Sequence, residues 1–174
     1  MAVRRRPATE AEARALASGV RLRILRLCLD RALTNKEIAE RLGANPATTL
    51  HHVRTLVDTG FLDAQEERRG TRGAREVPYL ATGKSWTLDV TDRTGPERGL
   101  QAMLDAFLEE FALVDDTSAV RMARLGLRLT AKDRDELNQR MADLFEEFRV
   151  RRPRRGGRPY SLFFAFHPDV GRDN

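Results

Sequence analysis

The chain has 174 residues, 41% apolar and 33% charged, with a net charge of +5. That is the balance of a soluble globular protein of one compact unit or two small ones, and no apolar run reaches the length of a membrane span. The start, MAVRRRP, carries charge without an apolar core behind it, so no secretory signal is expected and a cytoplasmic location follows. The charge excess is one-sided. Residues 1–90 hold 16 Lys and Arg against 11 Asp and Glu, whereas residues 91–174 hold 15 against 15. A polyanionic partner for the first half predicts this asymmetry.

In chain order, Arg4, Arg5 and Arg6 precede any periodic pattern and read as a disordered tail, with a minor-groove arm as the alternative. Ala11 to Ala17 predicts a short helix. Residues 20–30 predict a second, with Leu22, Leu25, Cys28 and Leu29 on one face. Residues 34–60, TNKEIAERLGANPATTLHHVRTLVDTG, then spell two helices with explicit boundaries. Thr34 and Glu37 make a T-x-x-E capping box, Ile38, Ala39 and Leu42 recur at helical spacing, and Gly43 closes the first helix. Asn45 is a strong N-cap and Pro46 suits the first helical position, so the second helix starts after a three-residue turn.

In that second helix Thr49, Val53, Leu56 and Val57 face inward. The outer face then carries Ala47, Thr48, Leu50, His51 and Arg54, with no carboxylate before Asp58. Hydroxyl, imidazole, guanidinium and small apolar groups without an anion are what a phosphate-lined groove accepts. Residues 61–68 and 76–81 predict two strands flanking RGTRGAR, where Gly70 and Gly73 permit a turn and Arg68, Arg69, Arg72 and Arg75 crowd the tip. A basic hairpin beside such a helix pair can reach flanking phosphates or the adjacent minor groove.

Residues 17–30, residues 33–62 and the glycine and arginine hairpin together resemble the winged helix-turn-helix of ArsR-type bacterial transcriptional regulators, over roughly residues 10–86. The resemblance implies a homodimer on an inverted-repeat operator, acting as a repressor released by an effector. It places Pro46, Ala47, Thr48, Leu50, His51 and Arg54 on the recognition-helix surface and residues 68–75 in the wing. Leu50 stands where the family often has a small polar residue.

Thr, Gly and Pro punctuate residues 91–99, which sets the expected boundary between a DNA-binding domain, 1–90, and a second domain, 91–174. Beyond it the pattern predicts helix, strand, helix, strand. The overall class is mainly α with α+β elements. Pro96 opens a helix to about Val114 with Leu100, Met103, Leu104, Phe107, Leu108 and Phe111 in one stripe. Residues 119–129 alternate, with Ala123, Leu125, Leu127 and Leu129 on one side and Arg124 and Arg128 on the other. Thr130, with Asp133 three residues on, starts a helix to about Arg151 whose stripe is Leu137, Met141, Leu144, Phe145 and Phe148. After a basic loop at 151–159, Tyr160 to His167 reads as a covered strand paired with 119–129. Seven of the eight phenylalanines lie in this half. They read as core and dimer interface, with a pocket for a small apolar effector as the alternative.

Metal-sensing relatives gather several cysteines, or His with carboxylates, around one ion. Here Cys28 is the only cysteine, and the adjacent His51 and His52 diverge by roughly 100° on a helix. No cysteine-bound metal and no cofactor are expected. No enzyme is expected either: the chain has no G-x-S-x-G, P-loop or G-x-G-x-x-G motif, and RGTRG lacks the Lys-Ser or Lys-Thr of a phosphate loop. Asp133, Asp135 and Glu136 read as first-turn acids, and Glu109, Glu110, Glu146 and Glu147 as solvated faces. The sequence therefore reads as a DNA-binding regulator. A winged-helix protein-interaction module on a dimer scaffold is the alternative from another class.

Overall fold

Side-chain caps set most of the helix starts. The computed structural model describes residues 5–70, 75–89, 96–152 and 155–172. Helix α1 (Glu10–Leu16) begins at Thr9, whose hydroxyl accepts the Glu12 N–H while the Glu12 carboxylate accepts the Thr9 N–H. Ser18 caps α2 (Gly19–Leu27). Thr34 and Glu37 make the expected capping box of α3 (Asn35–Leu42), at 3.2 and 2.7 Å. Gly43, at φ 62°, ends α3 in the left-handed region that favours glycine, and Asn45 opens α4 (Pro46–Asp58) two residues later. Thr34→Ala should cost about 1 kcal/mol, the usual worth of an N-cap, read as a lower denaturant midpoint with unchanged slope.

Predicted and observed helices part at the end of α2. It stops at Leu27, and the Cys28 carbonyl instead accepts the Ala81 N–H at 2.9 Å, so the chain turns toward the sheet and Leu29 points to solvent.

Three short strands form the first sheet, in the order β2 (Leu33–Thr34), β6 (Pro78–Ala81), β3 (Leu62–Ala64), all antiparallel. Beyond it β4 (Arg68–Arg69) pairs with β5 (Arg75–Glu76). The two long strands expected at 61–68 and 76–81 thus form one interrupted hairpin. Ala64 pairs with Tyr79 and Arg68 with Glu76, which leaves three residues between the pairs on one side and two on the other. One extra residue is a bulge, which bends and twists the hairpin arm, and Pro78, lacking an N–H, sits where the ladder breaks. A further pair was not anticipated: β1 (Arg6–Pro7) runs parallel to β7 (Leu88–Asp89).

The core lies beneath α4. Ile24, Cys28, Ile38, Val53, Leu56, Phe61 and Leu62 are all almost fully buried there.

The chain divides into two units, residues 5–115 and a second built on residues 116–174. Helix α5 (Pro96–Phe111) packs within the first, so the contact boundary falls after α5, beyond the composition change near residue 90. Ala102 and Ala106 lie buried, and a Cβ on Gly19 of α2 would come within 3.4 Å of the Ala102 carbonyl. Small residues on both helices permit that approach. Glu109 and Glu110 are not simply solvated, because they pair with Arg23 and Arg26 of α2.

The second unit contains α6 (Ala131–Arg149), opened by the expected Thr130 and Asp133 capping box. The expected strands at 119–129 and 160–167 are not formed. Residues 120–130 and 157–169 run without helix, turn or ladder, and neither segment pairs with the other. A strand exists only where a neighbouring backbone takes its N–H and C=O groups, and among the described residues none does. Among the described residues the mainly helical class with small sheets holds, and every described strand lies before α5.

Candidate nucleic-acid interface

Helix α4 is held at both its start and its inner face. Asn45 Oδ1 accepts the Ala47 N–H at 2.8 Å, while Asn35 Nδ2 of α3 donates to the Pro46 carbonyl at 2.9 Å. The α3 side chain therefore sets where the first turn of α4 sits. Thr49, Val53 and Leu56 point into the core, and the Thr49 hydroxyl is satisfied by the Asn45 carbonyl. That fixes the rotation of the helix. Asn45, Pro46, Ala47, Thr48, His51 and Arg54 are exposed together on the opposite side, and Leu50 is half-buried at its margin.

Among the described residues Arg54 makes no ion pair, so its guanidinium is available to a ligand. His52 behaves differently. It is half-buried, and burial, then Arg21 and His51, pushes its imidazole below the usual histidine range. His52 is turned partly into the protein, whereas His51 and Arg54 are exposed on the outer face.

The hairpin is anchored to the same helix pair. Arg68 donates to both carboxylate oxygens of Glu37 at 2.8 Å, a link across 31 residues. Glu37 thus caps α3 and positions the hairpin arm at once. The Thr34 N–H, then burial against it, the Thr34 hydroxyl and Arg68 leave its carboxyl below the usual range. Arg75 reaches Glu67 at 3.6 Å while staying largely in water, and Arg69 is exposed. Arg72 lies outside the described residues.

Residues 16–64, which run from the end of α1 through β3, match the family model of a helix-turn-helix domain. Within that segment α3, the turn at Gly43 to Asn45 and α4 have the arrangement of a helix-turn-helix, and the β3 to β6 hairpin follows it in the position of a wing. No curated protein matches the chain. Among solved structures, reduced HlyU from Vibrio cholerae N16961 is 23% identical, covering 55% of this chain and 81% of its own, with a TM-score of 0.34. The homodimeric winged helix-turn-helix DNA-binding domain of Mb0332 from Mycobacterium bovis, a possible ArsR-family transcriptional regulator, is 22% identical over 63% and 82%, at 0.33. ZitR from Lactococcus lactis is 22% identical over 74% and 73%, at 0.33.

The N-terminal arginines of the winged helix are not a free tail. Arg6 lies in β1 and donates to both Glu12 oxygens at 2.9 and 2.6 Å, and Arg5 stacks over Trp86 at 4.7 Å. Glu12 is nearly fully buried and attracts the arginine strongly enough to seat the strand. Arg4 lies outside the described residues. Cys28 is fully buried, and burial pushes its thiol up to about 11, so it stays protonated and unreactive at neutral pH.

Helix α5 buries its alanines and turns its large residues away. Leu100, Met103 and Leu108 are 57%, 46% and 59% exposed, while Leu104, Phe107 and Phe111 are half-buried, with the last two stacked at 5.6 Å. In the second unit no described residue from 116 to 172 is buried. The residues expected to line an apolar effector pocket, such as Leu125 and Leu162, are open to solvent. A depression on α6 is lined by Asp143, Glu146, Glu147 and Val150, where three carboxylates give the wrong chemistry for an apolar ligand. Among the described residues no helix is long and apolar enough to cross a membrane.

Proposed function

We propose that this protein is a cytoplasmic transcriptional regulator of the ArsR type that binds double-stranded DNA sequence-specifically as a homodimer. The observation that carries the reading is the exposed face of α4. Thr48, His51 and Arg54 stand together on a helix locked into the core by Thr49, Val53 and Leu56, with no carboxylate among them. Thr48, His51 and Arg54 contact base edges or adjacent phosphates, Ala47 and Leu50 offer apolar contact to a thymine methyl, and Asn45 and Pro46 set the helix start at the DNA backbone. In the wing, Arg69, Arg72 and Arg75 add phosphate contacts, and Arg68 orients the arm through Glu37.

A dimer places two such helices in successive major grooves, with half-sites about 10 bp apart, centre to centre. Leu100, Met103, Leu104, Phe107, Leu108 and Phe111 supply the interface on α5. Repression released by an effector is the outcome the family resemblance favours.

Retention on duplex DNA across a salt series tests the reading. A protein neutralising several phosphates should lose affinity steeply between about 50 and 200 mM salt. Absence of any retention at low salt would overturn it in favour of a winged helix that binds protein. Leu108→Glu should weaken the dimer, shifting its dissociation to higher protein concentration in light scattering with unchanged helical circular dichroism, because the side chain already faces water in one chain. A dimer of unchanged affinity would remove α5 from the interface.

A further inference from the structure

The second unit is ordered but has no core. Helix α6 starts at a complete capping box, yet every described residue from 116 to 172 is at least partly exposed. Of the eighteen large apolar side chains exposed in the described residues, twelve lie there, from Met122 to Val170. Monomeric proteins rarely leave such contiguous apolar surface in water, and about sixty residues without a core do not hold a fold alone.

Tyr160 to His167 is the densest part of that surface. It lies between Pro159 and Pro168, contains no Lys, Arg, Asp or Glu, and runs without helix, turn or ladder. Tyr160, Leu162, Phe164 and Phe166 alternate along it and are 82%, 72%, 45% and 40% exposed. Phe164 already packs edge-on against Phe145 of α6 at 5.7 Å, so this face has a helix beside it. Among the described residues no strand pairs with it.

We propose that residues 160–167 form an antiparallel strand pair with the same residues of a second copy of this chain, completing the unit as a two-fold dimer. This rests on the dimeric reading above and adds an interface distinct from α5. The segment is complementary to itself. In an antiparallel pair centred near Phe163 or Phe164, Leu162 faces Phe166 or Phe164 of the other copy, and no two like charges meet. By contrast, residues 121–129 centred on Gly126 would set Arg124 against Arg128. The paired segments bring Tyr160, Leu162, Phe164 and Phe166 of both copies together, on the order of 1,000 Å² of exposed apolar surface, the lower size of a specific interface. A second copy is also the one partner always made in equal amount, as a unit without its own core requires.

Cysteine cross-linking in the full chain tests both the partner and the register. Wild type supplies the baseline, because its sole Cys28 is buried. Under mild oxidation Phe163→Cys or Phe164→Cys should give, on a non-reducing gel, a dithiothreitol-sensitive band at twice the 19.7 kDa chain mass. Tyr160→Cys should not, because residues eight positions apart in an antiparallel pair are separated by roughly 26 Å. Cross-linking at neither central position, or equally at Tyr160, overturns the inference. In a Leu108→Glu background the central cross-links should persist, since they do not depend on α5; a dimeric wild type without central cross-links sinks only the strand pair, whereas a wild type monomeric in solution sinks the dimeric reading as well.

Discussion

Arg54→Ala should lose about tenfold or more in affinity for the preferred DNA sequence while its binding to unrelated DNA falls far less. Arg54 stands exposed on the outer face of α4, one turn beyond Leu50, on a helix whose rotation is fixed by Val53 and Leu56. A guanidinium so placed can contact a base edge bidentately, an interaction worth about 1–3 kcal/mol of discrimination. In the proposed complex the wing arginines would contact phosphates, which are the same in every sequence. Arg69→Ala or Arg72→Ala should therefore weaken all duplexes about equally and reduce the salt slope by about 1. Fluorescence anisotropy on a preferred and a scrambled duplex separates the two behaviours. Equal losses on both duplexes for Arg54→Ala would contradict its assignment to base readout.

Glu12→Gln should destabilise the winged-helix unit by about 2–3 kcal/mol, below the upper range for a broken buried pair because Arg6 keeps nearly half its side chain in water. One carboxylate here joins three parts of the chain. It holds Arg6 of β1, accepts from Lys84 at 2.7 Å and caps α1 through the Thr9 N–H. Lys84 in turn donates to the Thr59 carbonyl at the end of α4. The Arg6 guanidinium foremost, then Lys84 and the Thr9 N–H against the opposing cost of burial, hold the Glu12 carboxyl far below the usual range. A carboxyl depressed in the folded state gives stability that is present above its unfolded pKa, near about 4.3, and lost as pH falls below it. Wild type should thus lose stability steeply below about pH 4, and Glu12→Gln should show a flatter acid limb. Parallel acid limbs in denaturant titrations of the two proteins would rule out this role for Glu12.

Local chemistry made most of the winged helix legible. Thr34, Glu37, Gly43, Asn45 and Pro46 each act within four residues, so their spacing alone marks where α3 ends and α4 begins. The inward positions of α4 followed from its period. Interactions between distant positions were hidden. Strand β2 has two residues, too few for alternation to register, and exists because Leu33 and Thr34 meet β6. The ion pair between Arg68 and Glu37 spans 31 residues, so the sequence showed four equivalent arginines where the structure separates an anchor from exposed groups. Arg5 and Arg6 read as a tail because their partners, Trp86 and Glu12, carry no local signal. Similarly, α5 was assigned beyond the boundary at residue 90, since the fit of Ala102 and Ala106 against Gly19 depends on the packing of two helices. Residues 119–129 and 160–167 have the alternation of strands, but alternation specifies a buried face and cannot supply the neighbour that makes a strand.

Selection of bound fragments from random duplex DNA by the full chain at low salt, followed by sequencing, should yield an inverted repeat with half-sites about 10 bp apart, centre to centre, and the enrichment should disappear when the exposed α4 residues are replaced by alanine. Recovery of fragments without a shared sequence, or of the same repeat after those replacements, would contradict sequence-specific binding through α4.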